Sequence, residues 1–194
     1  MRLPWPRCPA DCGRDPSIQH YRDTSYARQV SPDQSALDEA ITSLLGPSTR
    51  MLHVGIGSSS LARRHAAAVA HIHGITVVIE EIDLAPALPN YRAWLVDKHG
   101  PELRALPGPY DLVVDNNPGT YACCRRHFEA MFDAYAALLA PGGRIVTHAR
   151  GAGWEGAIRL RYRHWVSLGR ARGLSAARLS TEGWVLVAEP RPLR

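Results

Sequence analysis

The chain has 194 residues, of which 45% are hydrophobic and 21% charged, a balance that fits one globular domain able to bury its core without a metal or disulfides. That composition excludes a disordered chain, and no apolar run is long enough to cross a bilayer. The formal charge of +5 is carried almost wholly by arginine, since Lys98 is the only lysine, and the densest basic stretch, residues 159–172, spreads its arginines around a helix instead of along one face. That pattern favours a solvated surface over a track for nucleic acid.

Residues 1–30 hold Pro4, Pro6, Pro9 and Pro16 without sustained periodicity, which predicts a leader that packs over the body, residues 31–194. The N-terminus has no continuous apolar stretch of the secretory kind, so a cytoplasmic location is expected. Cys8 and Cys12 in the leader and the adjacent Cys123 and Cys124 make no disulfide framework. A zinc site from Cys8, Cys12 and His20 lacks both a fourth ligand and a recognised spacing.

The body opens with Ser31-Pro32-Asp33, a helix start. Leu37, Ile41, Leu44 and Leu45 then mark one apolar face, and Gly46-Pro47 stops the helix, giving about 32–45. Met51 to Val54 reads as a strand, Gly55 and Gly57 as a sharp turn, and about Ser60 to Ala70 as a helix ended by His73-Gly74. The β-branched run 75–79 reads as a strand covered on both faces, ending in the acids Glu80, Glu81 and Asp83. A short strand is expected near Ala93 to Val96 and another at 111–115. Phe128, Met131, Phe132, Tyr135 and Leu139 share a helical face, 144–148 forms a strand, and a helix runs from about Trp154 to Arg170. Two final strands meet at a short turn around Glu182-Gly183, which makes them antiparallel.

Four segments, taken in order, carry a family resemblance. HVGIGSS at 53–59 is a strand followed by a Gly-x-Gly turn, IEEIDLAP at 79–86 the acidic end of a second strand, YDLVVDN at 110–116 a fourth strand, and LLAPGGRIV at 138–146 a helix-to-strand corner. Over residues 32–189 the chain resembles the class I S-adenosylmethionine-dependent methyltransferases. Together with the alternation of elements, the resemblance implies an α/β fold: a seven-stranded, mainly parallel sheet with helices on both faces and an antiparallel last strand.

The resemblance implies S-adenosylmethionine as cofactor. Gly55 and Gly57 would let the backbone approach it closely, the Ser58 and Ser59 hydroxyls would meet its carboxylate, and one of Glu80, Glu81 or Asp83 would accept the ribose hydroxyls. Asp97 stands where the family contacts the adenine amino group, and Asp115 and Asn116 end the fourth strand facing the cofactor. His53 replaces the acid that usually orders the loop, and on a buried strand it reads as structural.

Residues 115–124, DNNPGTYACC, are similar to the Asn-Pro-Pro-aromatic motif of amine and nucleobase methyltransferases, with Gly119-Thr120 interposed. By that likeness Asn117, Asp115 and Tyr121 would align the methyl acceptor, with His148, and His127 behind it, available to take a proton. Tyr21 and Tyr26 of the leader could close over it. The expected reaction is methyl transfer to the nitrogen or oxygen of a small molecule, as in specialised biosynthesis. The competing readings are another use of adenosylmethionine, by aminocarboxypropyl transfer or cyclisation, and a binding module without turnover. Neither a membrane nor a nucleic acid is expected as partner, and nothing in the composition excludes a homodimer.

Overall fold

A computed structural model describes residues 29–153 and 160–188. Seven strands, β1 (Arg50–Val54), β2 (His71–Thr76), β3 (Tyr91–Leu95), β4 (Tyr110–Asp115), β5 (Leu139–His148), β6 (Leu174–Arg178) and β7 (Gly183–Ala188), form one sheet in the order β3-β2-β1-β4-β5-β7-β6. The β1–β2, β2–β3, β1–β4 and β4–β5 pairs are parallel. β7 is antiparallel to both β5 and β6, so the expected seven-stranded fold with a reversed last strand is the one observed.

Alternation along the strands divides the core in two. Leu52, Val54, Val113 and Ile145 face Phe128, Met131, Phe132 and Tyr135 of α4 (Arg125–Leu138) and Trp165 of α5 (Tyr162–Arg170). Met51, Leu112, Val114 and Val146 face Leu37 of α1 (Pro32–Ala40) and Leu61 of α2 (Ser60–His65). Phe132 is fully buried with its ring against those of Tyr135 and Trp165, a position where truncation to alanine costs about 3–5 kcal/mol. Ser31 caps α1, its Oγ accepting from Gln34 N at 3.3 Å, and Pro32 occupies the first turn, where its missing N–H is no loss. A 3-10 turn, Ile41–Leu44, completes the helix expected over 32–45.

Several expectations are corrected. β2 begins at His71 and ends at Thr76, while Ile79–Asp83 forms a short helix, α3. The acids Glu80, Glu81 and Asp83 therefore sit on a helical turn and not at a strand end. The cause is local: Thr76 Oγ1 accepts from Val78 N at 3.1 Å, a side-chain turn that leads the chain off the sheet after Thr76. Gly74 stops no helix. It lies within β2, where a Cβ would come 2.7 Å from both Ile56 Cγ2 and the Tyr91 hydroxyl, so its role is close packing. The helix expected to reach Ala70 ends as α2 at His65, followed by a 3-10 turn, Ala66–Ala68. Leu139 opens β5 instead of closing α4, and the first of the two final strands, β6, covers 174–178. Residues 154–159 of the last expected helix, Tyr21, Tyr26 and the Cys8, Cys12 and His20 group lie outside the described residues.

Candidate functional site

A cavity of about 550 Å³ opens at the carboxyl ends of β1 to β4 and is covered by residues 29–34 at the start of α1. Open parallel sheets place their ligand crevice at this end, and the volume suits a drug-sized ligand. Gly55 and Gly57 form one wall, at φ +72° and +49°, and a Cβ built on either meets no atom within 4 Å. Each thus presents backbone to open space in a conformation that L side chains disfavour.

Ser58 lines the cavity; Ser59 does not. Ser59 is 1% exposed at φ 54°, and its hydroxyl lies 3.1 Å from that of Tyr91 behind the turn. Among the three acids of α3 only Glu81 lines the cavity. Its Oε2 accepts from Thr76 Oγ1 at 2.6 Å and from Gly57 N at 3.1 Å. This carboxylate therefore ties the end of β2 to the glycine turn, while Glu80 and Asp83 lie apart from the cavity lining.

Asp97 and Lys98 follow β3 into the cavity. Asp97 Oδ1 accepts from His99 N at 2.8 Å. Lys98 Nζ reaches Asp115 Oδ1 and Oδ2 at 3.3 and 3.2 Å and donates to the Asn117 carbonyl at 2.6 Å. Asp115, buried at the end of β4, also accepts from Asn117 N at 3.1 Å and from Tyr135 Oη at 2.8 Å. Burial, together with the Asp115 charge, holds the Tyr135 phenol far above the usual range, so it remains a donor. With both oxygens committed, Asp115 is an anchor for the segment that follows it.

That segment carries the unsatisfied groups. Asn116 Nδ2 donates to Asp33 Oδ2 at 2.6 Å, whereas Asn116 Oδ1, Asn117 Oδ1 and Thr120 Oγ1 are buried without a hydrogen-bond partner. Buried acceptors of this kind are costly unless a ligand or water meets them. Burial alone would raise the Asp33 carboxyl, but hydrogen bonds from Ser31, Asn116 and its own backbone outweigh it and hold the group below the usual carboxylate range. Gly151 backs the segment so closely that a Cβ would collide with the Asn116 backbone and both asparagine side-chain oxygens. Tyr121, 45% exposed at φ 61°, stands at the cavity wall.

His148 is the outlier among the expected site residues. It is 3% exposed at the end of β5, with Nε2 3.4 Å from Glu182 Oε2 and Nδ1 accepting from Arg150 N at 3.3 Å, and it does not line the cavity. Burial lowers its pKa against the opposing pull of Glu182 and Asp33. His53 is buried in the centre of the sheet between Gly74 and Val114. Burial pushes its pKa down to about 4, so it is a neutral core histidine beneath the turn. Four contributors had not been anticipated from the sequence: Asp33, Thr76, Lys98 and Tyr135. Only Lys98 carried a signal there, as the single lysine of an arginine-rich chain.

No protein-family model matches the chain, and the comparison with curated proteins gives no match. Solved structures do match. N-methyltransferase NodS from Bradyrhizobium japonicum WM9 superposes with a TM-score of 0.64 at 14% identity, over 81% of this chain and 94% of NodS. NodS has also been solved in complex with S-adenosyl-L-homocysteine. CalS10, an amino pentose methyltransferase of calicheamicin biosynthesis from Micromonospora echinaspora, gives 0.62 at 17% identity, over 83% and 93%. The [4+2]-cyclase SpnF gives 0.59 at 21% identity, over 74% and 57%. The fold is thus that of the Rossmann-like class I methyltransferases.

Proposed function

We propose that the chain is a transferase that binds S-adenosylmethionine at the ends of β1 to β4 and passes its methyl group to the nitrogen or oxygen of a small molecule. The observation that carries this reading is a single cavity lined by the open backbone of Gly55 and Gly57, by the acids Asp33, Glu81, Asp97 and Asp115, and by Asn116 and Asn117. The donor chemistry fits. Adenosylmethionine is a cation with an ammonium and two ribose hydroxyls as donors, and Asp33, Glu81, Asp97 and Asp115 outnumber Lys98 on the cavity wall. The bound cofactor supplies a sulfonium methyl group that is transferred by in-line displacement.

The residues divide the remaining work. Gly55 and Gly57 admit the methionine end, with Ser58 beside its carboxylate; Asn116 Oδ1 accepts from the ammonium, Glu81 from the ribose hydroxyls and Asp97 from the adenine amino group. Asn117 would accept an N–H or O–H of the methyl acceptor and orient its lone pair for transfer, with the acceptor's proton released to water, while Tyr121 packs on its face. Alignment of this kind is where such a reaction gains most from the protein. Ser59, Glu80, Asp83 and His148 have no part in it, and Asp115 acts by holding Asn117 in place.

A biosynthetic role in the cytoplasm, with a small molecule and not a nucleic acid as partner, belongs to this reading. Calorimetric titration with adenosylmethionine and adenosylhomocysteine tests the cofactor, and product analysis with amine and hydroxyl acceptors tests the reaction. Adenosylhomocysteine is the expected by-product. A second reading is favoured by the neutral His53 in place of an acid: methylthioadenosine as product would establish aminocarboxypropyl transfer or cyclisation of adenosylmethionine instead. Binding without either product would leave a module without turnover. Competition by tRNA or DNA at physiological salt would overturn the small-molecule assignment.

A further inference from the structure

Outside the cavity, the start of α4 gathers two thiols and an imidazole. Cys123 Sγ and Cys124 Sγ lie 3.1 and 3.5 Å from His127 Nδ1, and the three ligand atoms fall within 4.8 Å of one another. Zinc bonds of about 2.3 Å to sulfur and 2.0–2.1 Å to nitrogen, at tetrahedral angles, set the S···N edge at about 3.6 Å and the S···S edge at about 3.8 Å. The two S···N distances are therefore within about half an ångström of coordinating ones, and the third edge lies within 4.8 Å. The backbone accounts for this: Cys124 is the residue before the first turn of α4, with extended φ and ψ, so that Cys123 and His127 bracket it from either side.

Chemistry selects the ion. Thiolate and imidazole donors favour zinc over the hard cations that prefer oxygen. Cys124 is buried and Cys123 exposed, which anchors the site on one side and opens it to solvent on the other. We propose that Cys123, Cys124 and His127 bind one zinc ion, two residues beyond Tyr121 of the cavity wall. This inference does not depend on the methyl-transfer reading.

The test uses the full chain, reduced and stripped of metal, titrated with Zn²⁺ against a chromophoric chelator and with Co²⁺ as a spectroscopic substitute. One equivalent of each is expected, with cobalt showing thiolate charge-transfer absorption and the intense visible bands of a tetrahedral site. Because Cys124 is buried, Cys123→Ser and His127→Gln are the variants of choice; each should weaken zinc binding at least about 100-fold while leaving the metal-free melting temperature unchanged. The double variant Cys8→Ser/Cys12→Ser should bind as the parent does. Absence of stoichiometric binding overturns the proposal, as does loss of binding in the Cys8/Cys12 variant with retention in Cys123→Ser.

Discussion

Glu81 offers the sharpest test, because one of its oxygens serves both the end of β2 and the glycine turn. Glu81→Ala removes the acceptor of Thr76 Oγ1 at 2.6 Å and Gly57 N at 3.1 Å. A hydrogen bond to a charged group contributes about 1.5–3 kcal/mol, and two that share an oxygen do not add fully. The expected loss is about 3 kcal/mol, which for a chain of this size is a fall of about 6–12 °C in Tm. Glu81→Gln keeps a carbonyl oxygen able to accept both bonds without the charge, so about half of that loss is expected, while affinity for adenosylhomocysteine drops about 10-fold through loss of charge at the ribose. Differential scanning calorimetry and isothermal titration measure the two effects separately. If Glu81→Ala leaves both unchanged, the bonds contribute nothing; if Glu81→Gln melts as low as Glu81→Ala, charge and not acceptor geometry holds the turn. Either result refutes the reasoning.

Asn117→Ala should lower turnover by about 10²-fold with cofactor affinity changed less than about twofold, since alignment counts in the transition state; a parallel fall in calorimetric affinity would assign Asn117 to the cofactor instead. Gly57→Val should abolish adenosylmethionine binding, whereas Gly142→Val, at a similar positive φ of +75° outside the cavity lining, should carry the backbone strain alone and bind normally. Lys98→Met leaves Asp115 buried without its cationic partner and should cost about 3–5 kcal/mol in denaturant titration. The depressed pKa of His53, about 4, means that the unfolded chain binds this proton more readily than the folded one. Its contribution to stability is complete above about pH 6.5 and declines as pH falls toward 4, by about 3 kcal/mol. His53→Leu should flatten urea-derived stability over that range, and an unchanged slope would show that other groups dominate.

The alternation of strands and helices and the reversed last strand were legible in the sequence because they rest on strong local signals: apolar runs of strand length at 51–54, 111–115 and 144–148, the Gly-x-Gly turn, and the polar residues immediately after β4. The end of β2 was not. Apolar and β-branched residues continue past Thr76 through Val77, Val78 and Ile79, and periodicity cannot distinguish a strand from a buried turn when every residue is covered; the deciding contact is one hydroxyl. Asp33 escaped notice because its partner Asn116 is 83 residues away. His148 and Ser59 were misassigned to the cavity for the opposite reason. Each ends or follows the right element, but His148 is engaged by Glu182 and Arg150, and a left-handed backbone sets Ser59 against Tyr91 behind the turn.

The single lysine has a practical consequence. An endoproteinase specific for lysine has one target in the whole chain, and it is the side chain, 11% exposed, that pairs with Asp115 inside the cavity. Cleavage there requires the segment after β3 to detach from the end of β4, so the rate of one cut, read as the appearance of two fragments on a gel, reports how often the cavity opens. Acylating reagents at neutral pH have the same single side-chain amine to find. Protection of that amine by a bound ligand gives a footprint with no background from other lysines, which makes the chain its own screening reagent for unknown acceptors.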